Sequence, residues 1–199
     1  DLRCIAQIVS FIVSIVLARL LSPTDYGVVA ILLIFISIAD VFVSNGFGAA
    51  LIQKKDADQL DFSTLLICSV ISSIVIYFII YLSAPIIANF YNNENIVPLM
   101  RVMALRIPIS GYNTIQRAYI SRNMMFKKFF FSTLGGTVVS AIIGITMAYK
   151  GFGAWALVAQ NLGNTIVDTI VLSITIDWKP SFRFKLERAI NLMSYGWKV

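Results

Sequence analysis

Residues 62–93 run for 32 positions without one charged side chain. A helix needs about 20 apolar residues to cross the hydrocarbon core of a bilayer, so this run can span one with length to spare. Residues 129–149 supply a second uncharged run of 21. Burial in a water-soluble globule does not account for them. The chain is 58% hydrophobic and 13% charged, whereas soluble domains carry about 25% charged residues. A fold of 22.1 kDa also leaves too much of its surface in water to hide the excess. A soluble enzyme is excluded, and the expected fold class is an all-α integral membrane protein, a bundle of transmembrane helices.

Several chemistries are missing. There is no histidine, which removes Ser-His-Asp triads, His-ligated metals and histidine pH switches. Cys4 and Cys68 lie in separate apolar runs with no CxxC partner, so neither a zinc site nor a disulfide framework is supported. No cofactor and no metal are called for. The sequence pI near 9.4 does not signal nucleic acid, because the basic residues are scattered between apolar segments.

Hydropathy divides the chain into six spans, at about 4–21, 26–50, 62–84, 97–121, 129–149 and 153–176. Residues 1–188 form one six-helix lobe. Its last part, 179–188, mixes aromatic and basic side chains and suits the anionic inner leaflet. Residues 189–199 start a seventh span, so the sequence reads as a fragment. Ser22-Pro23-Thr24-Asp25 is a turn signal, and Asn92 to Asn95 with Pro98 opens the fourth span. Alternating the spans places Arg3, Lys54, Lys55, Arg117, Arg122, Lys127, Lys128, Lys179, Arg183, Lys185 and Arg188 on one side, 11 of the 16 basic residues. By the positive-inside rule that side is cytoplasmic, N-terminus included. The longest outer loop, 85–96, is too short to hold a catalytic domain, which favours transport over enzymatic activity.

Ionisable groups inside spans are costly in lipid and mark partners or wet cavities. Here they are Asp40, Arg101, Arg106 and Asp168, with Arg19 near a span end. Arg106, Ser110, Asn113 and Arg117 recur at helical spacing and make one face of the fourth span. Arg101 points about 140° away from Arg106. Gln7, Ser10 and Ser14 continue a stripe from Arg3 on the first span. Ser37, Asp40 and Ser44 align on the second, and Asn161, Asn164, Asp168 and Thr175 on the sixth. Such continuity favours a hydrated central cavity in which Arg19 and Arg106 bind an anionic group, arginine being matched to phosphate. The alternative is that Asp40 and Asp168 simply neutralise arginines while the hydroxyls pack helices. Gly136, Ser140 and Gly144 repeat every fourth residue, a pattern for close helix approach. Pro108 is expected to kink the fourth span, with Ser110 and Gly111 as a conceivable hinge.

Four blocks carry a family resemblance. Residues 16–30 read Val-Leu-Ala-Arg-Leu-Leu-Ser-Pro-Thr-Asp-Tyr-Gly-Val-Val-Ala and resemble the junction of the first two helices of bacterial polysaccharide exporters. Residues 45–56, Asn-Gly-Phe-Gly-Ala-Ala-Leu-Ile-Gln-Lys-Lys-Asp, are similar to the end of the second helix. Residues 116–126, Gln-Arg-Ala-Tyr-Ile-Ser-Arg-Asn-Met-Met-Phe, resemble the loop between the fourth and fifth helices. Residues 151–158, Gly-Phe-Gly-Ala-Trp-Ala-Leu-Val, resemble the start of the sixth. In this order they resemble the polysaccharide transporter family of the multidrug/oligosaccharidyl-lipid/polysaccharide superfamily, nearest the O-antigen and colanic-acid exporters.

The resemblance implies an inner-membrane flippase with two six-helix lobes around a cavity, of which this chain would be the N-terminal one. Its substrate would be an undecaprenyl-diphosphate-linked oligosaccharide, moved to the periplasmic leaflet by alternating access. Arg19 alone lies within a matched block; Arg106, Ser110, Asn113 and Arg117 as substrate-binding residues rest on the stripe. Asp40 and Asp168 are candidates for a coupling proton or sodium ion. The expected partners are the lipid-linked oligosaccharide, membrane lipid and that ion, with no nucleic acid. The alternatives are a multidrug or cation antiporter of the same superfamily, a membrane-embedded polysaccharide polymerase, and a packing subunit without transport.

Overall fold

A computed structural model describes residues 2–53, 58–176 and 178, with the side chains of 7–43, 51, 58–176 and 178. Seven helices follow one another among them: α1 (Leu2–Leu20), α2 (Pro23–Gln53), α3 (Gln59–Phe90), α4 (Ile96–Ala104), α5 (Arg106–Arg122), α6 (Phe126–Tyr149) and α7 (Ala154–Thr175). The described residues include no strand. The Lys54–Lys55 pair, segment 179–188 and the seventh span at 189–199 lie outside the described residues, as do the side chains of Arg3, Cys4 and Ser44.

Stretches of 21, 32, 24 and 22 residues in α2, α3, α6 and α7 are each long and apolar enough to cross a membrane. The distribution of side chains agrees with a lipid solvent. On α3, Val75, Ile79, Leu82, Ile86 and Phe90 form a continuous outward face, and Phe90 is 79% exposed. The opposite face buries small and polar residues, Ser69, Ser73, Ala84 and Ala88. A soluble protein does not expose an apolar face of that length; in lipid it is the ordinary arrangement.

Two expectations about helix limits are corrected. The fourth span is not one helix but two, α4 and α5, meeting at Leu105. Pro108 has no N–H to offer Ala104, four residues earlier, and its ring crowds that carbonyl. The chain therefore leaves the α-helical register at Leu105, whose N–H bonds to Val102 O at 3.1 Å. The third span does not stop before Pro85. α3 continues through this proline to Phe90, so the loop between α3 and α4 is only residues 91–95 rather than 85–96.

With α4 and α5 together making one crossing, the connections collect at two ends. At one end the α1–α2, α3–α4 and α6–α7 turns line a common pocket that includes Asp25, Asn93 and Gly153. At the other, Arg122 Nη1 donates to Leu51 O at 3.1 Å and Lys128 Nζ to Thr175 O at 2.7 Å. Phe62, Tyr119 and Trp178 pack ring on ring there, with centroids 5.5 to 5.9 Å apart. An Asp58–Asp61 capping box starts α3 at the same end.

Asp25 ties two helix starts together. Ser22 precedes Pro23 at the first position of α2, where proline's missing N–H and fixed φ do no harm. Ser22 Oγ and Ser22 N both donate to Asp25 Oδ2, at 2.5 and 3.1 Å, and Asp25 N donates back to Ser22 Oγ at 3.2 Å. The other carboxylate oxygen, Oδ1, accepts from Ala154 N at 2.9 Å and so caps α7. Gly153 makes this approach practicable: its φ is +54°, and a Cβ there would lie 2.8 Å from Asp25 Oδ1. Asp25→Ala is expected to destabilise the full-length protein by about 2 kcal/mol, two caps at about 1 kcal/mol each. A lowered thermal-unfolding midpoint in detergent checks this.

Candidate functional site

The polar face of α5 sits against α2, α3 and α7, and the structure brings Arg106, Ser110, Asn113 and Arg117 together with both candidate carboxylates. The face divides into two adjoining clusters. In the first, Arg106 Nη2 lies 3.3 Å from Asp40 Oδ2 of α2, with the two side chains 28% and 22% exposed. Ser110, one turn along α5, lies beside the same carboxylate. Arg106 Nε is buried without a hydrogen-bond partner among the described residues.

The second cluster surrounds Asp168 of α7, which is 2% exposed. Arg117 Nη2 reaches Asp168 Oδ2 at 2.6 Å, and Asn113 Nδ2 donates to the same oxygen at 3.1 Å. Ser132 of α6 donates to Oδ1. Asn113 Nδ2 also donates to Thr169 Oγ1 at 3.0 Å, and Gln116 Nε2 to Ser173 Oγ at 2.7 Å. The carboxylate is sealed while the arginine that faces it is not: the Arg117 side chain is 50% exposed against 3% for Asp168. The Arg117 guanidinium also lies 5.4 Å from the centre of the Phe129 ring, close enough for a cation–π contact.

Each carboxylate thus pairs with an arginine, and each guanidinium stays partly exposed. The other stripes have different surroundings. Asn164 and Asp168 are on the side of α7 met by the small-residue row of α6: a Cβ on Gly136 would lie 3.0 Å from Asn164 Oδ1, and one on Gly144 3.1 Å from Gln160 Cβ. α6 and α7 share the most extensive interface of the bundle, so this part of the sixth-span stripe is a packing face. Gln7, Ser10 and Ser14 of α1 are exposed. Arg19 is exposed in the last turn of α1; α1 packs on α6, and Arg19 is not brought to the α5 face. Arg101 stacks over Tyr81 of α3, 4.4 Å from the ring centre.

Sequence reasoning overlooked Ser132, Gln116 and Thr169. Ser132 had a signal, since it stands four residues before Gly136 and begins the same small-residue row. Thr169 had one too, since Asn161, Thr165, Thr169 and Ser173 recur every fourth residue, and Gln116 stands one turn from Asn113.

Fold and site together define a multi-pass, all-α membrane protein that carries paired charges on an inward helical face. The chain belongs to the polysaccharide biosynthesis protein family, whose model matches residues 16–199. Among curated relatives, it is 24% identical over 186 residues to the succinoglycan biosynthesis transport protein ExoT of Rhizobium meliloti (strain 1021), covering 94% of this chain and 38% of that protein. It is 26% identical over 178 residues to the teichuronic acid biosynthesis protein TuaB of Bacillus subtilis (strain 168), covering 79% and 33%. It is 23% identical over 188 residues to the lipopolysaccharide biosynthesis protein WzxC of Escherichia coli (strain K12), covering 91% and 37%. The chain thus spans between a third and two fifths of the length of these relatives. No solved structure matches it.

Proposed function

We propose that this chain is the N-terminal lobe of a flippase that carries an undecaprenyl-diphosphate-linked oligosaccharide across the bacterial inner membrane by alternating access, with its N-terminus cytoplasmic. The observation that carries the reading is the α5 face, where Arg106 and Arg117 are each held by a carboxylate on one side and remain 28% and 50% exposed on the other. A guanidinium fixed in this way is oriented for bidentate contact with phosphate. In the reading, Arg106 and Arg117 bind the diphosphate, Ser110 and Asn113 hydrogen-bond phosphate or sugar, and the polyprenyl tail stays in lipid. Arg19 contributes from α1 only if α1 moves toward α5 during the cycle. Relatives named for polysaccharide biosynthesis and transport support the substrate class, and transport rather than catalysis is the activity.

The decisive variants are made in the full-length protein. Arg106→Gln combined with Asp40→Asn preserves neutrality while removing the phosphate-binding group. Glycan export is expected to fall by about 10- to 100-fold at unchanged protein level, the worth of a charged hydrogen bond at about 1.5–3 kcal/mol. Normal export by this pair, or drug efflux in place of lipid flipping, overturns the reading. Asp40 and Asp168 are its ion-coupling candidates, for a proton or a sodium ion. If Asp168→Asn responds to imposed ion gradients as the parent does, Asp168 has no such role.

A further inference from the structure

At the end of the bundle where the α1–α2, α3–α4 and α6–α7 turns meet, a pocket of about 360 Å³ opens between the loops. Its size falls within the roughly 300–1,000 Å³ of small-molecule sites. It is separate from the α5 face: none of the charged residues described there lines it.

The lining selects a ligand class by elimination. Among the described residues, Asp25 is the only charged one on the wall, and both of its carboxylate oxygens already accept hydrogen bonds, from Ser22 and from Ala154 N. A single carboxylate whose two oxygens are already hydrogen-bonded falls short of the several oxygen ligands that a metal ion takes. An anion finds no lysine or arginine, and the helix-start N–H groups are already used: Ile96 N bonds to Asn93 O, Val97 N to Glu94 O, Trp155 N to Phe152 O and Ala156 N to Gly153 O.

What remains is neutral and polar, with an aromatic side. The Asn95 amide has no hydrogen-bond partner among the described residues. Asn93 Oδ1 accepts from Asn95 N at 3.1 Å, which leaves the Asn93 amide N–H groups to donate. Trp155 and Phe152 are 36% and 51% exposed. Side-chain amides both donate and accept, matching a hydroxyl that does the same, and an indole offers a flat apolar face with a polar edge. From these features we infer that the pocket is a binding site for a neutral sugar residue, with Asn93 and Asn95 on its hydroxyls and Trp155 and Phe152 against its C–H face.

The site lies outside the charged face, so it stands or falls independently of the diphosphate-binding reading. Saturation-transfer NMR on the full-length protein in nanodiscs tests it, with methyl glucoside, methyl galactoside and N-acetylglucosamine as probes and glucuronate as the charged control. At least one neutral probe is expected to bind saturably and glucuronate more weakly. Asn95→Ala and Trp155→Ala should each weaken binding by about tenfold, or about 1.4 kcal/mol, while Trp155→Phe retains most of it. The Arg106→Gln/Asp40→Asn protein should bind the sugar like the parent even where export has failed. The inference is overturned if no neutral probe binds saturably, if glucuronate binds as well, if binding survives both pocket substitutions, or if it is lost in the Arg106/Asp40 pair.

Discussion

Asp168→Ala is expected to lower the stability of the full-length protein by about 3 kcal/mol, because it strips the acceptor from a buried group of donors. Not every partner suffers equally. Ser132 Oγ retains Asp168 O at 3.0 Å and Asn113 retains Thr169 at 3.0 Å. Arg117, half-exposed, turns to water, and an exposed charge loses little when its partner goes. The cost falls on the second Asn113 N–H and on the cavity left between α5, α6 and α7. Asp168→Asn keeps the shape and one acceptor oxygen, so less than half of the loss is expected. Thermal unfolding in detergent, with binding of lipid-linked substrate measured in parallel, separates the two substitutions. Equal losses for both would mean that charge, not hydrogen-bond geometry, holds the cluster together.

Gly111→Ala is the second large effect, and it arises from one methyl group. A Cβ on Gly111 would lie 2.6 Å from Ser73 Oγ, 2.9 Å from Ser73 Cβ and 3.1 Å from Ser69 O. Rotating the Ser73 hydroxyl relieves only the first contact; the others require α5 to move off α3. That movement also stretches the Ser69 Oγ to Gly111 O bond, now 2.9 Å. Overpacking at about 1–3 kcal/mol and a hydrogen bond at about 1 kcal/mol, less about 1 kcal/mol for alanine's better helix propensity, leave a net loss of roughly 1–3 kcal/mol. Gly27→Ala serves as the control, since nothing lies within 4 Å of its added Cβ and alanine is the better helix former by about 1 kcal/mol. Adding Ser73→Gly to Gly111→Ala should recover part of the loss. Failure of that rescue would place the strain elsewhere.

Patterns contained within one helix were legible in the sequence, and contacts between distant segments were not. Arg106, Ser110, Asn113 and Arg117 share a face because 3.6 residues per turn puts them there, and both intramembrane carboxylates met that face because charges in lipid seek partners. The row from Gly136 to Gly144 was readable as a packing surface for the same reason. Pro108 announced a bend, but the bend lies upstream, since proline acts on the carbonyl four residues before it. Pro85 carried the same signal without breaking α3. The uncharged run to Asn93 described the length of that helix better than the proline did. Which side of each guanidinium stays open, and that Asp168 is sealed while Asp40 is not, depend on how α2, α6 and α7 pack around α5. No single-helix period contains that information. The cap that Asp25 supplies to α7 was equally hidden.

That cap has a consequence for how the protein is made. Asp25 and Ala154 are separated by 129 positions, and chains are synthesised at about 5–20 residues per second. For roughly 6 to 26 seconds after Asp25 leaves the ribosome, Oδ1 has no Ala154 N–H to accept from. The bond closes only after every intervening helix has been made and α7 has been inserted in the correct direction. A bundle with one helix inverted would carry Ala154 to the opposite face and leave the carboxylate half-satisfied. Asp25 therefore gains its second partner late, and only when Ala154 arrives at the same end of the bundle.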